Sequence, residues 1–370
     1  MAEPRQIVSP KENVAESQVL TVTDVSNRIK ELIVKSYYEN WPKDVLEKEI
    51  AKVVQQVAGK VPERLQKDVK LALAQSAQKW HYAYMNNLKV VNIELIKQII
   101  NNQAIKIDNK TYSIDIASLA GKPATESKAI IDRFRPLLTV DKIGSQIIDD
   151  YEKRVKSEIK RLASDTANLS RVDKNGKPYA INIRNFAEMQ VRYEENLKDV
   201  ARLKEDGVKL VWTSSHADAS GRCAPYQGRL YSLDGTSGKT DDGIPYSPLI
   251  EAQDGPRGDG NGIINGYNCR HRLIEYQPNS RSPKDYDRDT IQKENAITSR
   301  QRLYERDVRN LKTQELLASQ AGDKALADHL NKQWHSTLER YKSFSLSNKR
   351  PFYEWRTRVT EDERNLDPRD

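Results

Sequence analysis

Cysteine is nearly missing from this chain, with two among 370 residues, too few for a disulfide framework. Phenylalanine is scarce as well, four against 17 tyrosines. Much of the aromatic surface therefore carries a polar end and suits interfaces where part of the ring stays wet. No apolar run approaches the length of a membrane span, and Met1 to Pro10 lacks the apolar core of an export signal. These absences predict a protein made in the cytoplasm, not exported by the usual route and without a membrane partner. Neither sign of charge dominates, since 61 basic residues face 53 acidic ones for a net charge of +8. That balance permits contact with nucleic acid or an acidic partner without demanding it.

What is present reads as helix over most of the length. Leu46, Ile50, Val53, Val54 and Val57 recur at steps of three and four, Gly59 stands where a helix would stop, and Pro62 opens another run through Leu65, Val69, Leu73, Trp80 and Tyr84. Residues 104–116 alternate instead around Asp108-Asn109-Lys110, which predicts a small hairpin. Helical character resumes from Ser127 to Leu169, with an interruption expected at Pro136. A turn cluster at 173–178 follows, then an amphipathic helix over 185–205 that Asp206-Gly207 ends, then a strand from Val208 to Thr213. From Ser282 onward the chain is again helical and highly charged, with Leu326, Leu330, Trp334, Leu338 and Tyr341 on one face.

One region breaks this pattern. Ten of the 16 glycines fall between Gly221 and Gly266, and both cysteines lie in or beside that stretch, where a long helix would be costly. The length suggests two or three domains. The expected fold is α+β, with mostly helical N-terminal (1–170) and C-terminal (282–370) regions flanking a small β-containing Cys/His module over 171–281.

The module holds the residues that carry chemistry. His216 and Cys223 sit on one side of the glycine-rich excursion, and Cys269 and His271 on the other. Thiolate and imidazole are donors that zinc prefers in four-coordinate structural sites, and a metal there would tie together the ends of a long loop. A structural Zn2+ on His216, Cys223, Cys269 and His271, with Asp218 behind them, is one reading. One residue between Cys269 and His271 on an extended strand points both side chains the same way. The alternatives are a buried thiol pair, with His216 hydrogen-bonded to Asp218 or to a backbone carbonyl, and a disulfide formed late in an oxidising medium.

Other candidate motifs carry less. Gly235-Thr236-Ser237-Gly238-Lys239-Thr240 imitates a phosphate loop, but Leu233 stands where that loop needs glycine, and Asp241-Asp242-Gly243-Ile244-Pro245 argues against the helix that must follow. Arg257-Gly258-Asp259 reads as a chance turn tripeptide. A cysteine nucleophile with a histidine base, or a zinc-dependent nuclease or hydrolase recruiting Asp218 or Glu275, is the enzymatic alternative. No HExxH or nucleophile elbow supports it. Near the C-terminus, Lys349, Arg350, Tyr353, Trp355, Arg356 and Arg358 are candidates for contact with DNA phosphates or with a protein partner.

The ordered set Ser214-Ser215-His216, Tyr226-Gln227-Gly228-Arg229-Leu230-Tyr231 and Asn268-Cys269-Arg270-His271 resembles the phage minor capsid protein 2 family, which is related to the Mu F-like head morphogenesis proteins. Tyr226 and Tyr267 stand where the family pattern has tryptophan, and Cys223 falls outside the pattern. The likeness covers roughly residues 185–280, and the helical tail from Asp285 to Glu361 is similar to the family's C-terminal part. The resemblance implies a non-enzymatic virion protein, synthesised in the host cytoplasm, that assembles with the portal and other capsid proteins. It would act in head assembly or accompany the packaged double-stranded DNA.

Overall fold

The computed structural model of the protein describes residues 10–102, 105–107, 110–112, 142–172, 176–254, 264, 269–279 and 281–364. The expected break at Pro136, the Ile114 and Ile116 end of the first hairpin, the Arg257-Gly258-Asp259 tripeptide and Gly266-Tyr267-Asn268 lie outside them. The architecture is α+β. Two compact units are each assembled from separate stretches of chain, and both draw on all three parts read from the sequence. One comprises Met1–Val19, Arg184–Arg306 and Leu338–Thr357, the other Leu20–Ile183, Asp307–Thr337 and Arg358–Asp370.

The second of these is the helical unit. Helix α1 (Pro10–Tyr38) runs into it, followed by α2 (Lys43–Gln55) and α3 (Glu63–Asn102). Gly59 adopts φ 77° between α2 and α3, as its place after the apolar run predicts. Leu65, Val69, Leu73, Trp80 and Tyr84 on α3 are all buried, so the helical spacing was read correctly. A short antiparallel pair, β1 (Ile105–Ile107) and β2 (Lys110–Tyr112), pairs Ile107 with Lys110 across the expected turn. Helix α4 (Lys142–Ser164) packs on α3.

The expectation of helix as far as Leu169 is corrected here. The helix ends at Ser164, and β3 (Asn168–Val172) pairs antiparallel with β4 (Pro178–Asn182). The turn cluster read at 173–178 therefore falls between two paired strands rather than between two helices. Within this antiparallel pair, Leu169 is buried and lies opposite Ile181.

From Val19 to Tyr37, helix α1 is buried on nearly every side. Val22, Val25, Ile29, Ile33, Val34 and Tyr37 are at most 1% exposed, and Thr21, Asp24, Asn27 and Lys30 are buried among them. Buried polar groups must be paired, and these are. Asn27 Nδ2 donates to the Val359 carbonyl at 3.1 Å, and Thr21 Oγ1 donates to Glu361 Oε1 at 2.7 Å. Lys30 Nζ donates to the carbonyls of Ala163 at 3.0 Å and Asp165 at 2.6 Å, satisfying the end of α4. It also lies 5.0 Å from the Trp80 ring centroid.

The other is the sheet unit. Helix α5 (Ile183–Glu205) ends at Gly207, with φ 76°, and leads into β5 (Leu210–Thr213). Strands β6 (Leu230–Ser232), β7 (Gly238–Lys239), β8 (Pro245–Pro248) and β9 (Leu273–Glu275) complete a five-stranded sheet in the order β7-β8-β6-β5-β9. Among the described residues, only β6 and β8 run parallel. Val211, Tyr231 and Leu233 pack with Leu249 and Ala252 of the short helix α6 (Leu249–Asp254) and with Ile264. Each such burial contributes about 1.5–3 kcal/mol for a large apolar side chain.

Two long helices, α7 (Arg288–Gln320) and α8 (Lys324–Ser347), supply residues to both units. The C-terminal arm expected from Ser282 is thus a helical hairpin, broken at Gly322 with φ 74°. Among the described residues, no helix is long and apolar enough to cross a membrane.

Lys30 generates a pH prediction. Burial pulls its ammonium down from 10.5 to about 7, opposed by the Asp165 charge. The unfolded chain therefore binds more protons between about pH 7 and 10.5, so stability rises with pH across that window. Denaturant titrations are expected to show this rise, on the order of a few kcal/mol, in wild type and not in Lys30→Met. Equal slopes for the two proteins would show that Lys30 keeps its charge when folded.

Candidate functional site

The chain around β5 and β9 places the predicted residues. Ser214 follows β5 directly and hydrogen-bonds to the segment that enters β9, its N–H donating to the Arg272 carbonyl at 2.9 Å. Arg272 N–H in turn donates to Ser214 Oγ at 2.9 Å. Gly228, at φ 65°, turns the chain before β6, and a Cβ there would meet Ser215 Oγ at 2.8 Å. These contacts bring three segments together: 213–216, 226–229 and 269–272.

Gln227 joins them. His216 N–H donates to Gln227 Oε1 at 2.9 Å, and Gln227 Nε2 donates to the His216 carbonyl at 3.3 Å. Backbone N–H can only donate and C=O can only accept, so the amide orientation is fixed without appeal to the ring atoms. Its Oε1 also lies 3.1 Å from His271 Nε2, which must then carry the proton. Burial depresses the His271 imidazole to about 4, with help from the neighbouring His216 and Arg270. The ring is neutral, so its Nδ1 is an acceptor, and the Cys269 thiol at 3.4 Å donates to it. The proton order runs from thiol to imidazole to amide oxygen.

His216 completes the cluster edge-on to His271, with ring centroids 4.8 Å apart. Its Nε2 lies 3.2 Å from Ser214 Oγ. Burial, then Arg270, lower its pKa. Asp218 turns the other way, onto α7. Its carboxylate accepts from Thr298 Oγ1 at 2.8 Å and pairs with Arg270 at 3.3 Å. Asn295 Nδ2 donates to the Asp218 carbonyl at 3.1 Å. Burial alone would raise the Asp218 pKa, but Arg270 and Thr298 outweigh it and hold the carboxyl below its ordinary value.

The four side chains read as a zinc set are brought together only in part. Cys269, His271 and His216 meet, whereas Cys223 packs against the apolar cluster of Val211 and Tyr231 and accepts from Ser220 Oγ at 3.3 Å. Both ring nitrogens of His271 are engaged. Among the described residues, no three His, Cys, Asp or Glu side chains are grouped to hold a metal ion.

Sequence reasoning missed Gln227, Ser214, Thr298 and Asn295. The available signal was the polar Gln227 beside Gly228 inside the recognised Tyr226–Tyr231 run. Of the suggested DNA or partner contacts, Lys349 is exposed, Arg350 is ion-paired with Glu294, and Arg356 is buried with Tyr353 and Trp355 rings at 4.2 and 4.8 Å. Arg358 belongs to the helical unit.

A thiol, an imidazole and an orienting amide have the connectivity of a nucleophile, its base and a positioning group. Here the cysteine and histidine are each 5% exposed, and burial holds the imidazole down at about 4, which makes it a weak base. The arrangement is suited to hold segments together.

Fold and cluster thus describe an α+β scaffold whose buried polar centre ties strands to one another. The phage minor capsid protein 2 family matches residues 42–345, most of the chain, and the protein belongs to that family. Its role is structural, as a component of the phage virion. No curated protein and no solved structure matches the chain.

Gln227→Leu would leave the His216 N–H, the His216 carbonyl and His271 Nε2–H without their partner. The expected loss of stability is about 2–4 kcal/mol, measured by denaturant unfolding. A loss below about 0.5 kcal/mol, the size of an ordinary surface change, would mean that the amide does not hold the cluster.

Proposed function

We propose that the protein is a head morphogenesis component that docks at the portal or on the inner face of the capsid and lies beside the packaged double-stranded DNA. The observation that carries this reading is the extent of the family match. It runs from α2 to α8 and takes in long helices as well as the sheet, so the shared feature is a scaffold rather than one reactive patch. The helical parts offer length and docking surface, and the sheet unit offers a nucleus tied together by buried hydrogen bonds. Interspersed charge on the helices suits contact with other virion proteins better than a broad nucleic-acid track would.

Purified virions resolved by cryo-electron microscopy, with the chain tagged, test this directly. Density at the portal vertex or the inner shell is expected. A position on the outer surface or in the tail would overturn the assignment.

In this reading the Cys269, His271 and Gln227 cluster works as a hydrogen-bonded clasp. A structural zinc on His216, Cys223, Cys269 and His271 is the competing proposal, and it would need Cys223 to leave the apolar cluster it packs against. It would require the Cys269 thiol to lose its proton and His271 to give up one of its two hydrogen bonds. Metal analysis of wild type, Cys269→Ser and His271→Ala separates them. The clasp predicts substoichiometric zinc in wild type and destabilised variants that added zinc leaves unchanged. Stoichiometric zinc in wild type, lost in both variants, would establish the metal site instead.

A further inference from the structure

Strand β9 is an edge of the sheet, last in the order of the described strands. Trp212 lies opposite Ile274, Tyr276 N–H donates to the Leu210 carbonyl at 3.0 Å, and Ser214 N–H donates to the Arg272 carbonyl. In an antiparallel ladder, residues two apart along a strand turn their backbone groups to the same side. Arg272, Ile274 and Tyr276 therefore turn theirs toward β5, and Leu273 and Glu275 turn theirs outward. Among the described residues, no strand lies beyond β9 to receive them. Such an edge is a template for another extended chain.

The side chains alternate as well. Arg272 and Ile274 fall on the sheet face that carries Trp212, whereas Leu273 and Glu275 fall on the face that carries Val211. Ile274 is 49% exposed, with Arg272 and Glu275 exposed on either side of it. Among the described residues, neither of these two charges is in an ion pair, whereas Arg270 is paired with Asp218. A second copy of β9 does not answer this pattern. Antiparallel self-pairing must set outward residues against outward residues. With Leu273 opposite its own copy, Arg272 meets Ile274 and Glu275 meets His271. With Leu273 opposite Glu275, Arg272 meets Tyr276. Registers shifted further set Arg272 against Arg272 or Glu275 against Glu275, which is unfavourable.

We propose that β9 accepts an extended segment of another protein as a further antiparallel strand, with an acidic residue opposite Arg272, an apolar residue opposite Ile274 and a basic residue opposite Glu275. The backbone groups of Leu273 and Glu275 hold the strand, and the antiparallel direction gives the slightly more stable ladder. The three side-chain pairs fix its register, because a slip of one residue moves every side chain to the other face. β9 is three residues long, so affinity depends on those pairs and not on the backbone alone. The inference goes beyond the assembly role and rests on the geometry of the sheet edge.

The test titrates the full chain with the end-capped hexapeptide Thr-Lys-Val-Thr-Glu-Val, which sets Lys opposite Glu275, Val opposite Ile274 and Glu opposite Arg272. Saturable binding is expected, with slower hydrogen exchange at the Leu273 and Glu275 amides and no change at Ile274, whose amide already faces β5. Exchanging Lys and Glu in the peptide keeps its composition but makes both cross-strand charge pairs repulsive, and should weaken binding about tenfold. Proline at the residue opposite Leu273 removes a ladder donor and should abolish binding. Arg272→Glu combined with Glu275→Lys should reverse the preference between the first two peptides. Should that double variant fail to fold, the peptide series on the wild-type chain decides alone. The proposal is overturned by no saturable binding, by equal binding of the exchanged or the proline peptide, or by an unchanged preference in the folded double variant. A wild-type dimer that Ile274→Asp dissociates would also overturn it, assigning the edge to a second copy.

Discussion

The side-chain amide of Gln227 answers two backbone groups and one imidazole at once, and the order of the sheet unit's loops follows from that. Its carboxamide oxygen receives the His216 N–H and the His271 Nε2–H, while its nitrogen reaches the His216 carbonyl. Those partners lie on segments separated by 11 and 44 residues. Apolar burial alone has no direction and would tolerate several placements of such glycine-rich chain. A buried donor or acceptor left unmade costs about 1–3 kcal/mol, so placements that lose this amide are strongly disfavoured. Thr213 repeats the device nearby, its Oγ1 accepting from Arg229 N–H at 3.2 Å.

The helical unit solves the same problem with different chemistry. Helix α1 is too deeply buried to leave its polar residues in water, so Asn27, Thr21 and Lys30 each reach a distant backbone or side-chain acceptor. These bonds decide which face of α1 lies toward 359–361 and which lies toward the end of α4. The apolar residues supply most of the stabilisation. The polar ones set the register, because their geometry admits few substitutes. Lys30 suits its place even when neutral, since an amine still has two protons for its two carbonyl acceptors.

Legibility in the sequence followed the kind of force involved. Periodic apolar burial was readable: α2, α3 and α5 stand where their stripes predicted, and Gly59 and Gly207 close helices with positive φ. Leu169 was misread because a single apolar residue beyond the end of a helix can equally be the inward residue of a strand. Only the pairing with Ile181 decides between them. Gly322 passed unnoticed because a charged, polar surface helix shows little contrast at a turn. The candidate site was half legible. His271 lies against both Cys269 and His216, but nothing in composition separates Cys223, which faces the apolar cluster, from Cys269, which faces an imidazole. Gln227 stood inside a recognised run, but its role was not legible there because an amide's value depends on what surrounds it.

That division explains how the recognised motifs work as physical objects. On an extended chain, one intervening residue puts Cys269 and His271 on the same side, so their 3.4 Å contact is available from local geometry alone. Such a pair by itself leaves the imidazole free to rotate and to choose either tautomer. The Tyr226–Tyr231 run removes that freedom, because Gly228 turns the chain there and Gln227 meets His271 Nε2 from the far side. The Ser214–His216 segment then fixes the amide through its own backbone. Three short motifs, each uninformative alone, therefore specify one tautomer and one arrangement of strands. Their fixed order in the chain is the order in which β5, the turn before β6, and the approach to β9 must present themselves to the same amide.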